Sequence, residues 1–169
     1  MEFLWELLGE SLFGKILVTL LISMFPIVEL RGAIPVAVLL HDLHPVLAFT
    51  VSVIGNLIPV PFIIIFIRKI FHWIRKHIPK LGSLVDRLEE KGKSKKDAVL
   101  KLGFWGLFVF VASPLPGTGA WTGALIAAMM DMRLKRAFPS ILLGVITAGV
   151  IVTVLVSCGL AAYIGFSAS

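Results

Sequence analysis

The chain has 169 residues, of which 58% are hydrophobic and 15% charged, with a net charge of +6 and a mean hydropathy of +0.99. A soluble domain of this length needs a charged outer shell, and 16 Lys and Arg with 10 Asp and Glu, most of them bunched together, cannot build one. Residues 43–67, 102–130 and 137–169 contain no Asp, Glu, Lys or Arg, and each run exceeds the roughly 18 residues that mark a candidate membrane span. The composition is that of an all-α integral membrane protein. The single cysteine, Cys158, excludes an internal disulfide and a cysteine-rich metal site, and reads as a small apolar residue of the last helix. Eleven of the 16 basic residues fall within 68–101, beside membrane spans, so the positive charge points to anionic lipid head groups and excludes a nucleic-acid partner.

In chain order, residues 1–12 place Glu2, Glu6 and Glu10 on one stripe of a helix and Phe3, Leu4, Leu7 and Leu8 off it, the pattern of a short interfacial helix. The start lacks the basic residues and cleavage site of a signal peptide, so the mature protein is expected to keep it. From Phe13 the chain is apolar until Pro26-Ile27-Val28-Glu29-Leu30-Arg31-Gly32-Ala33-Ile34-Pro35. The apolar stretch 33–40 that follows would cover roughly 12 Å as a helix, against a hydrocarbon core of roughly 30 Å. It ends in the polar turn His41-Asp42-Leu43-His44-Pro45, which belongs at a surface. The segment 13–40 is therefore expected to enter the membrane, turn near 28–32 and return, with Pro26 and Pro35 breaking the helix. Residues 46–67 then make a full span, interrupted by Asn56, Pro59 and Pro61, where a packing kink is expected. An amphipathic basic segment follows over 68–101, the one stretch that reads as water-exposed.

The second half repeats this plan. Residues 102–112 are apolar, Ser113-Pro114-Leu115-Pro116-Gly117-Thr118-Gly119 breaks any helix, and apolar residues 120–130 lead to Asp131-Met132-Arg133-Leu134-Lys135-Arg136. Each limb is too short to cross alone, which favours a second hairpin over 102–130, with Pro114 and Pro116 at its break; a single span through 102–130 is the alternative. Residues 137–162 form the last span. Gly144 and Gly149 within it are expected to allow close helix contacts.

Charge orients the chain. Segment 68–101 carries eleven basic and four acidic residues and is expected in the cytoplasm, with the 41–45 loop and both termini outside. A second hairpin returns Arg133, Lys135 and Arg136 to the cytoplasmic side, in agreement with their sign. The expected organisation is a single membrane domain, 1–169, built as an inverted repeat of re-entrant helical hairpin plus transmembrane helix. Repeat one covers 13–67 and repeat two 102–162, with an N-terminal interfacial helix and a basic cytoplasmic linker over 68–101. The hairpin tips are then expected to approach each other at the midplane.

Between residues 16 and 67 the only charged residues are Glu29, Arg31 and Asp42. Asp42 belongs to the 41–45 turn, which leaves Glu29 and Arg31 at the first tip, where charge is costly and lines a polar pathway or forms a structural pair. Glu29 is the candidate proton carrier. Arg31, together with helix N-terminal N–H groups near Gly32 and Gly119, favours an anionic group such as phosphate or carboxylate. The second tip adds the permissive backbone of Gly117 and Gly119, the hydroxyl of Thr118 and the indole of Trp121. No metal or cofactor site and no nucleophile–base arrangement stands out, which argues against an enzyme. His41 and His44, and Met129, Met130 and Met132, read as loop and packing residues.

The segments Glu29-Leu30-Arg31-Gly32-Ala33-Ile34-Pro35 and Pro114-Leu115-Pro116-Gly117-Thr118-Gly119-Ala120-Trp121 resemble the two signature motifs of the putative small multidrug export protein family. That family is similar to the wider DedA-type superfamily, and the likeness covers roughly residues 13–160. The resemblance implies two re-entrant hairpins in an inverted repeat, a location in a prokaryotic inner or plasma membrane, an oligomer, and proton-dependent transport or the movement of polyprenyl phosphate carriers. Carried over residue by residue, Glu29 and Arg31 match the acidic and basic positions. The further intramembrane arginine usual in the second half of DedA-type proteins has no counterpart in the uncharged 102–130.

Together these readings give the expectation of a small secondary transporter, proton- or ion-coupled, that moves an amphiphile with an anionic head such as a polyprenyl phosphate, and that forms at least a homodimer. Two other readings stand beside it. One is a proton-coupled exporter of cationic amphiphiles. The other is a non-transporting scaffold that holds partners through the basic 68–101 segment.

Overall fold

The computed structural model describes residues 11–77, 86, 87, 90, 103–113, 115, 117–130 and 132–167, and every regular element among them is helical. Residues 1–10 of the interfacial helix expected over 1–12, residues 78–101 apart from 86, 87 and 90, and Pro114 and Pro116 lie outside the described residues. Among the described residues, two helical runs are long and apolar enough to cross a membrane, Pro45–Ile67 and Leu134–Gly159. The chain contacts divide the molecule into two compact units: residues 1–57 with 145–169, and residues 58–144.

The first unit opens with α1 (Leu12–Met24), whose start is set by Ser11: its hydroxyl accepts the Gly14 N–H at 3.0 Å. The helix stops at Phe25, which is held extended because Pro26 follows it. The turn is short, since α2 (Glu29–Pro35) begins at Glu29 and runs directly into a π-helical turn, Val36–Leu40. The returning limb thus starts at Glu29, four residues before the expected 33. Pro35 lies within a continuous helical run and does not break it. The i→i+5 geometry after Pro35, with the His41 N–H donating to the Val36 carbonyl at 3.2 Å, absorbs the donor that proline lacks. Neither limb, at 13 and 12 residues, spans more than about 20 Å.

The loop 41–44 leads to α3 (Pro45–Leu57), with proline at the first helical position, where its missing N–H costs nothing. Helix α3 packs on both α1 and α2. Gly55 makes the closest approach: a Cβ there would meet the Ser23 hydroxyl and lie 2.7 Å from the Leu20 carbonyl oxygen. From Val145 onward the last helix joins this unit, with Gly149 set against Phe49 and Val53.

The second unit begins where the expected span over 46–67 is interrupted. Ile58 forms a bend ahead of Pro59, and α4 (Pro59–His77) continues beyond 67 into the segment expected to be a loop. Next come α5 (Phe104–Ala112) and α6 (Ala120–Met129), which pack against each other, while α6 also packs along α4. Helix α6 is buried on nearly all sides, which suits its run of Gly123, Ala124, Ala127 and Ala128. The last helix, α7 (Leu134–Ser167), starts three residues before the expected 137. Its first turns belong to this unit: Ser140 donates its hydroxyl to the Phe104 carbonyl at 2.6 Å, and Gly144 lies against Val111 and the Phe108 carbonyl. Large apolar side chains such as Phe62, Trp105, Val109 and Leu155 face outward, the surface that lipid tails cover.

Candidate transport site

The two tips were expected to carry the chemistry, and the charged one is held in the first unit. Phe25, Pro26, Ile27 and Val28 form its turn, and Ile27 is 94% exposed. At the next residue the chain reverses: Glu29 has φ +50°, the left-handed region that a side chain other than glycine adopts only at a cost. Its backbone N–H donates to the Phe25 carbonyl at 2.9 Å and fixes the turn. That reversal has an electrostatic consequence. Residues two apart on a regular helix point to different sides, yet Arg31 Nη1 donates to Glu29 Oε2 at 2.9 Å. The pair is shielded, with Glu29 only 4% exposed and the Arg31 side chain 18%. A strained backbone angle and a buried charge pair therefore coincide at the first tip, in a chain otherwise uncharged from residue 16 to residue 41.

Gly32 sits one residue beyond Arg31 and is half-buried. Its N–H is taken by the Val28 carbonyl at 3.1 Å, and a Cβ at this position would collide with the Val28 side chain. The expectation that this N–H is left to receive an anion is corrected: because the helix begins at Glu29, Gly32 already lies inside its first turn. The guanidinium of Arg31 is the charged donor at this tip, and it is engaged by Glu29.

At the second tip, Gly117 has φ +80°, as its lack of a side chain allows, and is exposed. Thr118 is buried, and its hydroxyl bonds within the turn, 2.8 Å from the Ser113 carbonyl and 2.7 Å from that of Leu115. This hydroxyl closes the connection between α5 and α6, a structural task that reading Thr118 as a substrate contact had not assigned. Gly119 is the residue that precedes α6, buried and extended, and its carbonyl accepts the Gly123 N–H at 2.8 Å. Trp121 is half-buried in the first turn of α6.

The first unit has a second polar feature, of which sequence reasoning noted only Asn56, as the site of a packing kink. Thr19 and Ser23 on α1 and Ser52 and Asn56 on α3 are all at most 1% exposed. Their signal was present as a spacing of four on each helix, obscured by the apolar residues between them. Among the described residues no group of three or more His, Cys, Asp or Glu is placed to hold a metal ion.

Two apolar helical runs long enough to cross a bilayer, outward-facing aliphatic and aromatic side chains, and a buried ion pair at a turn between short helices are the features of an all-α membrane protein with a shielded charge pair. The chain belongs to the family described as "Putative small multi-drug export protein", whose profile matches residues 29–151, more than half of its length. This is a DedA-type family described by export, and the matched region begins at Glu29 itself. No curated protein and no solved structure matches the chain.

Proposed function

We propose that the protein is a secondary transporter of a prokaryotic inner membrane that moves an amphiphile with an anionic head group, of the polyprenyl phosphate kind, with coupled movement of a proton. The observation that carries this reading is the Glu29–Arg31 pair, buried at a strained turn. The pair defines an exchange reaction. An incoming phosphate or carboxylate competes with Glu29 for the guanidinium, since both are oxyanions and an arginine fork binds either. Once displaced, Glu29 is a buried carboxylate without its counter-charge, a state so unfavourable in apolar surroundings that it takes up a proton. Binding of one anionic head and uptake of one proton at Glu29 are then parts of one event, and the loaded site gains no net charge for each negative charge it accepts. Release on the other side reverses both steps. Each unit has its own tight turn between short helices, at 25–28 in the first and at Gly117, Thr118 and Gly119 in the second, as two re-entrant hairpins would require.

The inverted repeat, the orientation with 68–101 in the cytoplasm and both termini outside, attraction of anionic lipid head groups to that segment, and a homodimer belong to this proposal. A second reading, proton-coupled export of cationic amphiphiles, is favoured by the description of the family. Opposing it is the position of Arg31: a cation reaching for Glu29 meets the guanidinium 2.9 Å from the carboxylate.

The test is flipping of a labelled short-chain polyprenyl phosphate in liposomes. Arg31→Ala is expected to abolish flipping. Glu29→Gln is expected to leave flipping measurable but insensitive to an imposed pH gradient. Flipping by well-folded Arg31→Ala at the wild-type rate would remove the anion site from this tip.

A further inference from the structure

The buried polar seam between α1 and α3 has unmet chemistry. Gly55 faces Leu20 and Ser23 of α1, and Ser52 and Asn56 flank it one turn before and one residue after on α3. On the α1 side the hydroxyl protons are accounted for: Thr19 Oγ1 donates to the Lys15 carbonyl and Ser23 Oγ to the Leu20 carbonyl, each at 2.7 Å. On the α3 side they are not. Ser52 Oγ and both Asn56 Oδ1 and Nδ2 are buried with no hydrogen-bond partner among the described residues. The fold elsewhere satisfies a comparable group, as Ser140 does with the Phe104 carbonyl. A seam serving only close helix packing would be met by glycine, alanine or self-bonded serine and threonine, and an asparagine whose amide oxygen and both N–H donors go unused is a poor choice for it.

The chemistry of the donor set selects the occupant. A cation would use Asn56 Oδ1 and Ser52 Oγ but leave the two N–H donors of Nδ2 unmet. An anion would use the donors and leave Oδ1 unmet. Water both donates and accepts, so it can meet the Ser52 hydroxyl and both ends of the Asn56 amide, the buried polar atoms that lack a partner here. Position matters as well. Ser23 and Asn56 lie in the last turns of α1 and α3, and six residues separate Ser23 from Glu29. Thr19 and Ser52 lie one turn earlier on their helices, toward the start of α3 at Pro45 that follows the 41–44 loop. Lys15 continues the α1 stripe in that direction, half-buried.

We propose that Ser52 and Asn56 bind water, and that the α1–α3 seam is a hydrated path along which protons move between the 41–44 face and the tip that bears Glu29 and Arg31. Alternating hydroxyl and amide groups with bound water make the continuous donor–acceptor chain that proton transfer requires. The role assigned to the proton rests on the function proposed above for Glu29; the hydration of the seam does not.

The test uses cysteine scanning, because a thiol reacts as the thiolate and forms one only where water reaches it. In full-length protein with Cys158 replaced by Ser and reconstituted in liposomes, Ser52→Cys, Asn56→Cys and Val53→Cys are each exposed to silver ions or a small methanethiosulfonate. The remaining thiol is then counted by mass spectrometry. Val53 is the control: it is also buried, but it lies among apolar contacts beside Gly149. Cysteines at 52 and 56 are expected to react about tenfold faster than the one at 53. Equal rates at 52 and 53 overturn the proposal, and Ser52→Cys, nearly isosteric, keeps that outcome readable if Asn56→Cys fails to fold. No transported substrate enters the measurement. Rapid labelling in a protein that flips nothing would retain the seam and remove the transport reading, and slow labelling in an active flippase would do the reverse.

Discussion

Placing the same alanine at two glycines, Gly55 and Gly159, separates close packing from helix propensity. At Gly55 an added Cβ lies 2.7 Å from the Leu20 carbonyl oxygen and 3.3 Å from the Leu20 Cα, besides meeting the Ser23 hydroxyl. Carbon atoms settle at about 3.5–4.0 Å, so α1 and α3 must separate by several tenths of an ångström, and backbone atoms cannot turn aside as a side chain can. Overpacking of this kind costs about 1–3 kcal/mol, and the backbone contact places Gly55→Ala in the upper part of that range. Alanine returns up to about 1 kcal/mol through its better helix propensity, leaving a net loss of roughly 1–2 kcal/mol. At Gly159 nothing lies within 4 Å of the added Cβ, and only the gain of up to about 1 kcal/mol applies. The assay is reversible unfolding in mixed micelles titrated with a denaturing detergent, followed by tryptophan fluorescence. The two variants are expected to fall on opposite sides of wild type, about 2–3 kcal/mol apart. Gly55→Ala as stable as Gly159→Ala would refute the close contact between α1 and α3.

Three further outcomes follow from particular contacts. Glu29→Gln leaves the Arg31 guanidinium without its carboxylate in a shielded position and is expected to destabilise by about 3 kcal/mol, while the double variant Glu29→Gln/Arg31→Gln recovers much of the loss, as a double-mutant unfolding cycle would show. Gly117→Ala forces a side chain into φ +80° and is expected to cost about 1–2 kcal/mol in the same titration, although the residue is exposed. Thr118→Val keeps the shape but removes the hydroxyl that bonds the Ser113 and Leu115 carbonyls; a loss of about 1–2 kcal/mol with transport retained is the expected result, whereas lost transport at unchanged stability would return Thr118 to the substrate site.

What could be read from the chain was mainly length and charge. Limbs too short for a bilayer pointed to both connections, the second at 113–119 and the first at 28–32, where the structure has its turn slightly earlier, at 25–28. Local geometry was not readable in the same way. A left-handed glutamate has no composition signal, so the start of α2 at Glu29 and the pairing of residues two apart appeared only with the fold. Pro35 read as a break because proline removes a helical hydrogen bond, but the following π-helical turn accommodates it. Pro59 did interrupt its span, at Ile58, since there the residue before proline is held out of the helix. Thr118 looked available because a sequence shows a hydroxyl and not what it bonds. Ser52 and Asn56 were legible as a spacing of four but gained meaning only when burial showed what they lack.

The central claim is that the site selects an anionic head and couples it to a proton. Its most direct measurement compares a short-chain polyprenyl phosphate, the matching neutral polyprenol and a cationic amphiphilic dye in the same proteoliposomes, with internal pH followed throughout. The account predicts movement of the phosphate alone, accompanied by proton flux that Glu29→Gln removes. Movement of the dye in exchange for protons, with the phosphate left in place, would contradict it.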